Sequence, residues 1–139
     1  MDNISLKALA KINLGLDVVR RRDDGYHEVR MIMQTINLFD RLEIKKIKES
    51  AIKIHTNLFF LPVNENNLVY KAAKLLIDEF GIQEGVSVGL TKKIPVAAGM
   101  AGGSTDAAAM LFGMNRLFGL GLSKKQLMER GVKIGADVP

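Results

Sequence analysis

Three features of the sequence predict an α+β fold: an apolar alternation running from residue 4 to residue 18, an apolar set at helical spacing over residues 68–80, and a strand near residues 86–90 that enters an alanine-rich helix through a glycine-rich segment.

In the first stretch Ile4, Leu6, Ala8, Ala10, Ile12, Leu14, Leu16 and Val18 take every even position, and Lys7, Lys11, Asn13 and Asp17 fall between them. The run exceeds one ordinary strand. Two strands or one bent strand are therefore expected, with Gly15 at the bend or in a bulge and with Lys11 and Asn13 on one polar face. Residues 20–25 are charged and end in Asp24 and Gly25, a hairpin-type turn signal, and apolar residues return from Val29 to Ile44. That region is predicted as a second strand, broken near residues 37–40. Ile52, Lys53, Ile54 and His55 alternate as a short strand, while Lys45, Lys46, Lys48 and Lys53 read as a solvated strand edge, where lysine also discourages aggregation.

Asn66 or Asn67 can cap a helix through Leu68, Val69, Ala72, Ala73, Leu75, Leu76 and Phe80, which Gly81 stops. Val86, Val88 and Leu90 alternate in a further strand leading through Lys92 and Lys93 to the glycines. Residues 107–118 then form a helix ended by Gly119, its methionines belonging to the core. Ser123 with Gln126 three residues on makes a capping box, and Leu122 and Leu127 can staple it. Gly131 is expected to weaken or end that last helix and leave residues 135–139 as a loop.

The 139 residues, 47% of them hydrophobic, suffice for one core and hence one domain. With no cysteine, neither disulfides nor a thiolate metal site are available, which suits a reducing cytoplasm. The acidic start, Met1, Asp2 and Asn3, is unlike a secretory signal, and no apolar run approaches the ~18–20 residues of a membrane span. A soluble, cytoplasmic protein without a membrane partner is expected. His55 has no partner at metal-ligand spacing. The net charge of +5 favours anionic partners without distinguishing nucleic acids, membranes and phosphorylated small molecules.

The chemistry concentrates in the segment Pro95, Val96, Ala97, Ala98, Gly99, Met100, Ala101, Gly102, Gly103, Ser104, Thr105. A strand feeding a glycine-rich turn that opens a helix points several backbone N–H groups at one place, where the helix dipole adds positive potential. Phosphate binds such a place, because glycines let the backbone approach closely and wrap an anion. Ser104 and Thr105 add hydroxyls that could donate to phosphate or contact a metal ion, and Lys92 lies just upstream. A tight turn at Gly102 and Gly103, with Ser104 or Thr105 capping the next helix, explains the same residues without a ligand. The segment has neither the Gly-Lys-Ser/Thr ending of a P-loop nor the Gly-x-Gly-x-x-Gly of a dinucleotide fold.

The segment resembles the ATP-binding motif of the GHMP kinases, the superfamily of galactokinase and the homoserine, mevalonate and phosphomevalonate kinases. Residues 10–14, Asp24 to His27, and Gly135 through Pro139 agree with that family in order and spacing. Ala98 and Ala101 stand where the family commonly has glycine. The double glycine before Ser104 is closest to the branch that phosphorylates a cytidine-diphosphate-linked methylerythritol.

The resemblance implies an amino-terminal domain similar to ribosomal protein S5 domain 2, spanning residues 1–139 and bound to ATP with Mg²⁺ as counter-ion. It implies a catalytic pair, Asp137 as base and Lys11 as its electrostatic partner, with Asn13 near the acceptor hydroxyl and Tyr26 and His27 on the cytidine. Asn67 and Leu68 match the adenine side. Each has a plainer reading: Lys11 a solvated strand lysine, Asp137 a turn residue, Tyr26 a partly buried strand tyrosine beside a surface His27, and Asn67 a helix cap. The implied reaction is ATP-dependent phosphorylation of the 2-hydroxyl of 4-diphosphocytidyl-2-C-methyl-D-erythritol, a step of isoprenoid biosynthesis. The family continues into a second domain, so the chain is expected to be a truncated portion, weakly active or inactive by itself. Alternatives are another kinase of the superfamily or a non-catalytic S5-like module on RNA; nucleic acid is not the expected partner, and oligomeric state is open.

Overall fold

The computed structural model describes residues 1–9, 39–58, 61–93 and 102–135. Four strands and three helices follow in the order β1 (Asn3–Leu9), β2 (Phe39–Ile47), β3 (Ile52–Thr56), α1 (Leu68–Phe80), β4 (Gly85–Thr91), α2 (Gly102–Leu117) and α3 (Lys124–Ile134). The sheet order is β1-β2-β4-β3. The first two pairings are antiparallel, and β3 runs parallel to β4 with α1 as the crossover between them.

Register explains where the core lies. Ile4 pairs with Ile44, Ile44 with Val88 and Val88 with Ile54, making one apolar row across the sheet. Leu6, Leu42 and Leu90 make the next. Paired residues share a face, so the even-numbered phase of these strands forms one apolar surface. Buried Val69, Ala72, Ala73 and Leu76 of α1 and Ala107, Met110, Leu111 and Met114 of α2 complete the same core. The opposite face carries exposed Lys7, Arg41, Glu43, Lys45, Lys53 and His55.

Helix ends have identifiable causes. Asn67 caps α1 by accepting a hydrogen bond from the Val69 amide, and Gly81 ends it with φ of 60°. Ser123 and Gln126 form the expected capping box on α3, and Leu122 and Leu127 both pack against the core. Arg130 of α3 ties down α1 through two hydrogen bonds to the Glu79 carboxylate.

Four expectations change. Phe39 and Asp40 lie within β2, not in a break, because Asp40 keeps the buried phase with Leu42 and Ile44. Lys45 and Lys46 sit on an interior strand rather than guarding an edge: Lys45 protrudes from the exposed face, and Lys46, half-buried on the other, holds its ammonium 4.9 Å from the Phe118 ring centroid; only Lys53 is on an edge strand. Helix α2 begins at Gly102, five residues before the predicted start, so the last four residues of the glycine-rich segment, Gly102 to Thr105, are its first turn. Helix α3 continues through Gly131, which is buried, and ends at Gly135. A residue without a side chain at a buried contact is compatible with a helix held by packing.

Candidate functional site

Two inward positions of the sheet carry charge instead of an apolar side chain. After Leu42 the buried phase of β2 reaches Asp40, and after Leu90 that of β4 reaches Lys92. The Lys92 Nζ lies 2.7 Å from Asp40 Oδ2 and 2.8 Å from Oδ2 of Asp106, in the second turn of α2. All three side chains are almost fully buried. An isolated buried charge would be very costly, so an ammonium shared by two carboxylates is the arrangement that makes this burial tolerable.

The charges do not balance as one cation and two anions. Burial, together with a hydrogen bond to Asp40, pushes the Asp106 carboxyl up to about 8 despite the opposing pull of Lys92. Asp106 is therefore mostly protonated at neutral pH, leaving Lys92 and Asp40 as the ion pair. Burial works to lower Lys92, but its hydrogen bonds to Asp106 and Asp40, with the charge of Asp40, outweigh it and its pKa is raised. Asp106 Oδ1 is buried without a hydrogen-bond partner among the described residues.

The cluster fixes the two described ends that flank residues 94–101. Asp40 Oδ1 accepts the Lys93 amide at 2.7 Å. Asn57 holds the Lys92 backbone from both sides, accepting from its N–H at 2.8 Å and donating to its carbonyl at 3.1 Å. Asp106 ties α2 to the same point. The end of β4 and the start of α2 are thus set relative to β2 by buried, directional bonds.

Beside the cluster opens a cavity of about 180 Å³, lined by Pro62, Asn67, Leu68, Lys92, Gly103 and Asp106 among others. It is smaller than the ~300–1,000 Å³ pockets of drug-sized ligands, so it suits one planar ring rather than a whole nucleotide. Leu68 lies close under Gly103, with its Cδ1 3.6 Å from where a Cβ would stand. The first-turn N–H groups of α2, at the positive end of its dipole, lie nearby.

Of the residues singled out in the sequence, the fold brings Asn67, Leu68, Lys92 and Gly103 around this cavity and places Gly102, Ser104 and Thr105 in the first turn of α2. Two carry structural duties. The Asn67 amide is engaged as a cap, with Oδ1 2.8 Å from the Val69 N and Nδ2 2.9 Å from the Pro62 carbonyl oxygen. Lys92, expected as a phosphate-side cation, has its ammonium bound by Asp40 and Asp106. Lys11, Asn13, Tyr26, His27, Pro95, Val96, Ala97, Ala98, Gly99, Met100, Ala101 and Asp137 lie outside the described residues.

Sequence reasoning missed Asp40, Asp106 and Asn57. For Asp40 the signal was present in the continued even phase of Asp40, Leu42 and Ile44. Asp106 and Asn57 have no local signal, since their partners lie 14 and 35 residues away. Among the described residues no group of three His, Cys, Asp or Glu could hold a metal, and no helix is long and apolar enough to cross a membrane.

Comparison with known proteins places this geometry. The family described as GHMP kinases N terminal domain matches residues 67–139. The 4-diphosphocytidyl-2-C-methyl-D-erythritol kinase of Lachnospira eligens is 61% identical over the whole chain, and that of Lachnoclostridium phytofermentans 62%. In both cases the chain spans about half, 48%, of the relative's length. Among solved structures, a 4-(cytidine 5'-diphospho)-2C-methyl-D-erythritol kinase superposes with a TM-score of 0.70 at 33% identity, covering 98% of this chain and 47% of the other. A homoserine kinase from Cytophaga hutchinsonii shares the fold, with a TM-score of 0.72 at 19% identity over 96% of this chain and 41% of its own.

Proposed function

The chain belongs to the GHMP kinases through their N-terminal domain, and on that premise we propose that the protein it forms part of transfers the γ-phosphoryl group of ATP to the 2-hydroxyl of 4-diphosphocytidyl-2-C-methyl-D-erythritol. The observation that carries this reading is identity above 60% along all 139 residues to relatives named for that kinase activity. The cavity supports it by setting an apolar slot beside the start of a helix, a fitting place for a base whose phosphates extend toward the helix's N–H groups.

In the proposed reaction the substrate's hydroxyl oxygen attacks the γ-phosphorus, the bond to the β–γ bridging oxygen breaks, and ADP leaves. The hydroxyl proton passes to Asp137, and the ammonium of Lys11 keeps that carboxylate ionised and stabilises the developing charge. Asn13 orients the acceptor, and Tyr26 and His27 hold the cytosine by stacking and hydrogen bonding. Asn67 and Leu68 line the base slot, while residues 95–105 follow the phosphates, Lys92 serving to hold that stretch in place. Mg²⁺ would neutralise the phosphates; Ser104 and Thr105 are hard oxygen donors of the chemistry it accepts. The step belongs to isoprenoid precursor synthesis in the cytoplasm.

ADP release by the full-length protein tests the assignment. Turnover is expected with the cytidine-linked substrate and not with mevalonate, and the reverse preference would overturn it. Asp137→Asn should lower kcat at least a hundredfold with a smaller change in KM. The 139-residue chain alone should release little or no ADP.

A further inference from the structure

We propose that Lys7, Arg41 and Lys93, gathered around the ring of Phe39, form a recognition patch for the phosphoanhydride chain of an incoming ligand. The Lys7 and Lys93 Nζ atoms lie 4.9 and 5.5 Å from the ring centroid, and the Arg41 guanidinium carbon 6.0 Å. All three cations are exposed, while the ring is half-buried.

The grouping is unfavourable for the sheet by itself. Lys7 stands directly opposite Arg41 in the β1–β2 register, and like charges directly opposite each other destabilise a strand pair. Lys53 and Lys74 bridge Glu49 and Asp78 at 3.0 and 3.2 Å, whereas Lys45, Lys71 and Lys125, like the patch, are in no described ion pair, so what sets the patch apart is its clustering on one ring. No described ion pair includes Lys7, Arg41 or Lys93. Stacking on one ring offsets part of the repulsion and keeps the three charges together. It leaves their N–H donors for an anion, and the guanidinium can bind phosphate oxygens in bidentate fashion.

Topology gives the patch its place. Strands β1 and β4 both run antiparallel to β2, so their carboxyl ends meet at the amino end of β2, beside Phe39. The chain leaves β1 there toward Lys11 and leaves Lys93 there toward the glycine-rich segment. The inference deepens the kinase reading and rests on it: both proposed substrates carry a chain of phosphates, and three clustered cations at the same end of the sheet as the cavity, on its opposite face, would raise the encounter rate of either.

Steady-state kinetics of the full-length protein carrying Lys7→Gln with Arg41→Gln test the patch. At an ionic strength of about 0.02 M, kcat/KM for ATP or for the cytidine-linked alcohol should fall roughly tenfold with kcat retained, and at about 0.5 M the difference should vanish. The substrate whose kcat/KM moves is the one recognised. Unchanged kcat/KM and salt slope for both would overturn the proposal. The charge-preserving pair Lys7→Arg with Arg41→Lys should behave as wild type, which separates charge from folding, and Lys125→Gln on α3 should change nothing. If the full-length protein phosphorylates neither substrate, the kinase reading fails while the patch remains testable by calorimetric titration with inorganic tripolyphosphate. Tighter binding to wild type than to the double variant supports it, and equal binding overturns it. Displacement of tripolyphosphate by a lower concentration of single-stranded RNA would overturn the small-anion assignment.

Discussion

Helix α1 starts at a single asparagine, whereas α2 starts where three elements meet. Asn67 satisfies the first turn of α1 with one side chain two residues from its partner. The start of α2 is instead held by Asp106, whose ammonium partner comes from the end of β4 and whose companion carboxylate comes from β2. A local cap positions a helix against its own chain. A buried charge cluster positions it against the sheet, and the second helix is the one whose first turn faces the proposed phosphates.

The comparison is broken most forcefully at Lys92. Replacing it by Met leaves the buried Asp40 carboxylate without its counter-charge, and removing one member of a buried pair typically costs ~3–5 kcal/mol. Urea unfolding of the full-length protein should show a loss of that order. Because the ends of β4 and α2 lose their common anchor, KM for ATP should rise even where enough protein stays folded to assay. A Lys92→Met variant with wild-type stability and KM would show that the cluster holds nothing that matters.

The cap of α1 should count for less. Asn67→Ala removes the acceptor for the Val69 amide and the donor to the Pro62 carbonyl, a loss of about 1–2 kcal/mol on the usual scale of N-caps. Asn67→Asp keeps the acceptor and should recover most of it in the same unfolding measurement. Since Leu68 and the cavity wall follow the cap, comparing ATP affinity in the two variants separates Asn67 as a cap from Asn67 as a base contact. Equal stability but weaker ATP binding in Asn67→Asp would assign it to the base.

The two helix starts also mark how far the sequence could be read. Period-two and helical spacings located every described strand and helix, because burial of one face leaves a local imprint. The capping box at Ser123 is legible from its own residues, and the cap of α1 is narrowed to Asn66 or Asn67, because a cap bonds to backbone only two or three residues away. Where the reading slipped, a distant partner had overruled a local signal: Asp40 looks like a strand breaker until Lys92 is known to neutralise it, and Gly102 and Gly103 look like loop until Asp106 anchors them into a helix. Asn67, Leu68, Lys92 and Gly103 line one cavity, yet nothing in the sequence near Lys92 announces the two buried carboxylates that bind its ammonium.

The mildest substitution gives the sharpest test of how the cluster is charged. With the Asp106 carboxyl held at about 8 against an ordinary 3.8, the folded protein keeps a proton that the unfolded chain gives up as pH rises. In that interval the folded state binds more protons, so this group's contribution is fully present below pH ~4 and is lost progressively as pH rises toward about 8, by at most ~1.4 kcal/mol per pH unit. Asp106→Asn mimics the protonated carboxyl and cannot titrate. It should be nearly neutral at pH 6, unlike Lys92→Met, and should gain on wild type from pH 6 to 8.5 in paired urea titrations. If instead the variant is strongly destabilised at pH 6 with no change in relative stability across that range, Asp106 is an anion in the fold, and α2 is held by two charges rather than one.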